Sequence, residues 1–250
     1  MLFVRAGGVM LRNFCIFLIS FIFLFYPGAI SVNYKLVSKS QGVQIYNTSS
    51  YGIYPRGIKI FIFPKNSMSY GVSLTKPEKK DFILNSNFFT AQSPIGLVVI
   101  DGKQVSSHRR GGGYFYIKKG IPSISTNIPH NVEYASQTIL MGIRNGAANT
   151  SILKPVSAST KTYRSLFGED KDGNFILIVT GNYFSLATIE DMINIGLDFN
   201  IKNGLLFDGG PSVEYGFTHG SSHFAFKGNE MPDGSKIAPD PMVYIHGLRL

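Results

Sequence analysis

Short apolar runs of strand length, each closed by a glycine or asparagine turn, follow one another along this chain and leave room for few helices. In residues 57–64 (GIKIFIFP), Ile58, Ile60 and Ile62 alternate with Lys59, Phe61 and Phe63, the period of two that sends successive side chains to opposite faces of a strand. Residues 33–48 read as an opening strand and 81–84 (DFIL) as a short buried one. Residues 95–100, 113–117, 138–143 and 174–180 (NFILIVT) continue the pattern, and 241–250 close it. Asp101-Gly102 and Asp172-Gly173 supply hairpin turns.

One stretch departs from this period. Leu186, Ile189, Ile193 and Leu197 recur at spacings of three, four and four, which gives residues 185–196 one apolar helical face. Ser185 or Thr188 caps its start, and Glu190 and Asp191 suit the positive end of the helix dipole. Gly196 and Asn203-Gly204 close the helical region, and residues 205–207 form a buried strand after it. One or two helices packed on mixed or antiparallel sheets make an α+β fold. From Asn33 onward no linker divides the chain, so residues 32–250 are expected to form a single domain.

The N-terminus reads differently. Arg5 and Arg12 precede the thirteen-residue apolar run 14–26 (FCIFLISFIFLFY), then Pro27-Gly28 and the small residues Ala29 and Ser31. That run is short for a bilayer span of about 20 residues but suits the core of a signal peptide. Residues 1–31 are therefore expected to be a signal peptide, or an uncleaved anchor, and the protein to be exported to the periplasm or beyond the cell. The one cysteine, Cys15, falls inside that segment. The exported chain would lack cysteine, which excludes disulfide scaffolds, thiol enzymes and Cys-ligated zinc. The net charge of +9 comes from scattered basic residues rather than a basic helix or ribbon. Nucleic acid is thus not expected as a partner, nor is a membrane beyond the N-terminal segment; an acidic or phosphate-bearing substrate is.

Five stretches could carry chemistry. Asp208 follows the buried run Leu205-Leu206-Phe207, and Gly209-Gly210 after it can turn the backbone and aim N–H groups at an anion, with Ser212 adding a hydroxyl. The same residues could form a plain turn with Asp208 capping its own backbone. Asn87, in Asn85-Ser86-Asn87-Phe88-Phe89, could bond a sugar hydroxyl or phosphate oxygen, or its own loop. Arg164 offers the forked contact a phosphate accepts, or a surface ion pair. Gln137 could bind a ligand through its amide or serve as a satisfied structural amide. His219 and His223, in a Gly/Ser loop, could hold a metal or exchange protons, and residues 108–113 (HRRGGG) read as a mobile hairpin tip.

Taken in order, these pieces resemble the phosphodiester glycosidase family. Asn85–Phe89 is similar to its N-G-G/A-F-F box, and Pro94-Ile95-Gly96-Leu97 with Asp101-Gly102 is similar to the strand and turn that follow. Gln137 through Asn145-Gly146 resembles a Q-S-G-P-x-L…x-N-G segment, and Arg164 to Gly168 with Asp172-Gly173 resembles R-x-x-x-G…x-D-G. The helix leading to Leu206-Phe207-Asp208-Gly209-Gly210-Pro211-Ser212 resembles the family's closing L-D-G-G-x-S segment. The likeness runs from about residue 55 to 250. Ser86-Asn87 in place of the Gly pair, and Thr138-Ile139 after Gln137, resemble a bacterial exported branch. The resemblance implies a hydrolase that frees a sugar from a sugar-1-phosphodiester and leaves a phosphomonoester. Asp208 and Arg164 would be catalytic; Asn87, Gln137, Gly209, Gly210, Ser212 and His219 would meet the substrate. No cofactor is implied, and no metal is expected, though a divalent cation is not excluded. The rival reading, from another class, is a non-catalytic exported module that binds anionic glycans.

Overall fold

A computed structural model of the chain describes residues 32–49, 56–90, 93–154 and 158–250, so the expected leader lies outside the described residues. Contacts divide the chain into Met1–Val32 and Asn33–Leu250, and the second unit holds the fold. Its core is an eight-stranded sheet in the order Asn33–Ser40, Val43–Ser49, Ile58–Pro64, Asn174–Thr180, Ser165–Asp170, Ile201–Leu206, Leu140–Arg144, Ala147–Ala148. A second sheet runs Ile121–Ser125, Gly113–Lys118, Tyr134–Thr138, Val98–Ile100, Lys103–Ser106. A third runs Ser222–Lys227, Glu214–His219, Phe82–Asn85, Tyr244–Arg249, Met68–Ser73. Neighbouring strands in these sheets pair antiparallel, so the fold is strand-rich and antiparallel rather than mixed. Among the described residues there is one α-helix, α1 (Ile189–Asp198).

The central strands are apolar on both faces because both faces are covered. In Asn174–Thr180, Ile176 and Ile178 pack with Ile58, Ile60, Ile189 and Ile193 on the helix side, while Phe175, Leu177 and Val179 join Phe61, Phe63, Phe82, Phe115 and Phe167 on the other. Isoleucines thus meet the helix and phenylalanines fill the space between sheets. Phe167 and Phe175 approach to 4.9 Å at 53°, a tilted contact that adds about 0.5–1.5 kcal/mol to plain burial.

Thr188, not Ser185, caps α1. Its hydroxyl accepts from Asp191 N–H while the Asp191 carboxylate accepts from Thr188 N–H, a reciprocal cap. The helix runs through Gly196 rather than ending there, and a Cβ at Gly196 would lie 2.6 Å from Ile143 Cδ1. The glycine lets helix and sheet approach. Asn203-Gly204, expected to close the helix, lies inside the strand Ile201–Leu206.

The hairpin signals give tight turns. Asp101 and Gly102 both take positive φ, 50° and 72°, between Val98–Ile100 and Lys103–Ser106. Gly173 turns at 81°, with Asp170 accepting from the N–H groups of Asp172 and Asn174. Three expected strands divide. Residues 33–48 are a hairpin turning at Gln41-Gly42, and 95–100 break at Gly96, where φ is 105°. The run 138–143 breaks at Ile139, where the chain leaves the second sheet for the first.

Candidate functional site

That crossover helps bring the three sheets together around one carboxylate. Ile201–Leu206 pairs with Ser165–Asp170 in a register that sets Leu166 opposite Leu206. Continued outward by two residues, this register places Arg164 across from Asp208. On the other flank, Thr138 donates to the carbonyl of Leu206. From the third sheet, Asn85 donates to the carbonyl of Asp208 at 3.3 Å and accepts from Glu214 N–H at 3.1 Å. Three segments distant in sequence therefore converge on residues 206–208.

Asp208 and Arg164 are both half-buried. Burial pushes the Asp208 carboxyl above the ordinary range, opposed by a hydrogen bond from Ser212, another from Gly209 N–H and the nearby charge of Arg164. Burial also pulls the Arg164 guanidinium below its usual value, while Asp208 holds it up. Arg164 is anchored where it leaves the sheet, its N–H donating to Thr180 Oγ1 and one guanidinium nitrogen to Thr160 O at 3.1 Å.

Gly209 is required by close approach and Gly210 by its backbone conformation. A Cβ at Gly209 would lie 3.0 Å from both Arg164 Nη1 and Tyr163 O, and Gly210 takes a φ of +62°. Their N–H groups are not open to an anion, however. Gly209 N–H serves the Asp208 carboxylate, and Gly210 N–H donates to Tyr163 O at 2.9 Å. The expected backbone cradle for phosphate is used up within the turn. Ser212 sits on the same turn with its hydroxyl on Asp208.

Asn87 is fully buried in the left-handed region at φ 60°. Its Oδ1 accepts from Ser136 Oγ, whose oxygen also meets the Ser86 hydroxyl at 2.9 Å, and its Nδ2 has no partner among the described residues. A buried amide donor left unbonded costs on the order of 1–3 kcal/mol, which a ligand oxygen would recover. Asn85 and Ser136 were not singled out from sequence. Asn85 lies in the Asn85–Phe89 box, but a buried strand serine carries no signal of its own.

Gln137 behaves otherwise. Its Oε1 accepts from Leu97 N–H and Arg109 N–H, and its Nε2 donates to the carbonyls of Arg109 and Gly111. All four hydrogen-bonding positions of the amide are filled, so Gln137 is a scaffold residue with none left for substrate. It also ties down residues 109–111, which are therefore not a mobile tip.

His219 is not brought to Asp208. It stands at the opposite end of Glu214–His219 from Glu214, about 16 Å along the strand, buried and hydrogen-bonded through Nε2 to Ser40 Oγ. Burial and the Arg249 charge lower its pKa. His223 pairs with Thr218 on the facing strand, so the two histidines point to opposite sheet faces and cannot share an ion. No group of three metal-ligating side chains occurs among the described residues.

The family model for phosphodiester glycosidases matches residues 79–240. The catalytic domain of zebrafish N-acetylglucosamine-1-phosphodiester alpha-N-acetylglucosaminidase, auto-inhibited by its pro-peptide, superposes with a TM-score of 0.61 at 15% identity, covering 90% of this chain and 85% of that one. A hypothetical protein from Synechocystis gives 0.57 at 12% identity, covering 88% of this chain and 65% of that one. No curated protein sequence matches. At these identities the superpositions establish the fold. The family match takes in the Asn85–Phe89 box, Gln137, Arg164 and the Asp208 turn, the segments that the sheets gather to one place. This chain belongs to the phosphodiester glycosidase family and is a hydrolase of that type.

Proposed function

We propose that the protein is an exported hydrolase that cleaves the bond between the anomeric carbon of a sugar and the oxygen of a phosphodiester, releasing free sugar and a phosphomonoester. The observation that carries this reading is the strand register that sets Arg164 across from Asp208, with both residues part-exposed. Arg164 would pair with the phosphate and offset the charge that gathers on the leaving phosphomonoester. Asp208, its carboxylate hydrogen-bonded by Ser212 and Gly209, would face the positive charge developing at the anomeric carbon and, in its ionised form, accept a proton from the attacking water. The carbon–oxygen bond breaks, water oxygen bonds to carbon, and its proton passes by way of Asp208 to solvent or the departing phosphate. Such a leaving group needs little protonation, so a single carboxylate suffices where ordinary glycosidases use two. Asn87 Nδ2 would donate to a sugar or phosphate oxygen. The apolar run 14–26 supports export.

The test is incubation of the purified chain with a panel of sugar-1-phosphodiesters, nucleotide sugars included, with and without chelator, and mass spectrometry of the products. Release of free sugar and phosphomonoester in equal amounts supports the reading; intact substrates throughout would refute it. Arg164→Ala is expected to lower kcat/KM by about 10²-fold or more, and Arg164→Lys to restore part of it, since the charge returns without the planar fork. Because the Ser212 hydrogen bond lowers the Asp208 pKa, Ser212→Ala should move the acid limb of the kcat/KM profile to higher pH. An unmoved limb would separate that limb from Asp208.

A further inference from the structure

Two cavities lie over the third sheet, and Lys76 lines both. The smaller, about 300 Å³, is walled by Glu214, Tyr244, Lys76, Lys227 and Lys236 among others. Glu214 is the link to the site. Its N–H bonds Asn85, which holds the Asp208 carbonyl, while its carboxylate takes Lys76 at 2.5 Å and the Tyr244 hydroxyl at 2.8 Å. The larger cavity, about 710 Å³, continues from Lys76 past Lys79 and Lys80.

The floor of this groove is nearly flat. Ala225, Gly216 and Ile83 are directly opposed residues on three neighbouring strands and so share one face. Lys79 and Lys80 have no acidic ion-pair partner among the described residues, and Glu78 is the one carboxylate along this stretch. The larger cavity is therefore cationic along its Lys76–Lys80 wall, with Gly216 and Ala225 in its floor beside Ile83.

Resting on the proposed hydrolase reading, we infer that this groove binds a linear glycan whose repeating units are joined by phosphodiesters, so that the substrate is a polymer with its terminal sugar at Asp208. The sugars lie over the flat Gly216–Ala225 floor, and chain phosphates meet Lys79 and Lys80. Spaced anionic groups along one strand complement lysines spread along one groove, which a single small ligand would leave mostly unused.

The experiment is fluorescence anisotropy of the full chain, in mild detergent at low salt, with a labelled oligomer of six phosphodiester-linked hexoses. Saturable binding is expected, and Lys79→Glu/Lys80→Glu should weaken it by about tenfold or more. The pair Lys118→Glu/Lys119→Glu makes the same change in net charge on a hairpin of the second sheet and should leave affinity unaltered. Thermal melts of all three proteins report whether each folds. No binding by the wild-type chain, equal weakening by the two pairs, or equally tight binding of single-stranded DNA of matched charge would each overturn the assignment. Anisotropy needs no turnover, so a chain that binds the oligomer through this groove yet cleaves no sugar diester keeps the groove and loses the hydrolase reading.

Discussion

Asp208→Asn is expected to fold normally and to lose about 10²-fold or more of kcat on a cleavable sugar phosphodiester. The amide keeps the size of the side chain but neither stabilises cationic charge nor accepts a proton from water. The loss will not be one of stability. Burial holds the Asp208 carboxyl above its usual pKa in the folded chain, so the folded state binds that proton more tightly than the unfolded one. The ionised form therefore detracts from stability, increasingly as pH rises from the ordinary carboxylate value of 3.8 through the raised one, and fully above it. Asparagine removes this deficit. The variant should melt no lower than wild type at neutral pH, and any advantage should vanish below the ordinary carboxylate range. An inactive variant with a clearly lower Tm at neutral pH would assign Asp208 a structural role.

Gly112→Ala should destabilise the fold by about 3 kcal/mol or more, the largest single effect expected of a methyl group in this chain. Its φ is +73°, and the added Cβ would fall 1.7 Å from the carbonyl oxygen of Thr138 and 2.7 Å from Ile139 Cα. Both are backbone atoms at the point where the chain crosses between sheets, so no side-chain rotation relieves the clash. The loop would have to lift, and with it the carbonyls of Arg109 and Gly111 that hold Gln137. Gly111→Ala is the matched comparison. Its φ is +87°, but nothing lies within 4 Å of the new Cβ, so it should cost only the left-handed strain, about 1 kcal/mol. Urea midpoints measure both. Equal midpoints for the two variants would mean that the Gly112 contact yields easily.

Where a local pattern sufficed, the chain was readable from its residues. Asn174–Thr180 forms the strand its apolar run implied, and Asp101-Gly102 turns as such pairs do. A run apolar on both faces also signalled burial, although only the structure separates the isoleucine side, under α1, from the phenylalanine side. Pattern failed where the outcome depends on pairing across many residues. The register that faces Arg164 to Asp208 spans strands separated by a hairpin and a helix, and no spacing encodes it. The two histidines share a loop-like, Gly/Ser-rich sequence yet fall on opposite faces of a hairpin. Gln137 stays open in sequence between a ligand amide and a structural one, because nothing there counts its hydrogen bonds. Residues 33–48 concealed their turn at Gln41, since a residue other than Gly, Asn or Asp at positive φ leaves little trace in composition.

Hydrolysis in water enriched in oxygen-18 tests the central claim most directly. A sugar-1-phosphodiester is incubated with the wild-type chain, and the products are weighed by mass spectrometry. Attack at the anomeric carbon beside Asp208, with Arg164 on the departing phosphate, places the heavy oxygen in the free sugar and leaves the phosphomonoester unlabelled. Label in the phosphomonoester would mean that water attacks phosphorus, and the roles assigned to Asp208 and Arg164 would not stand.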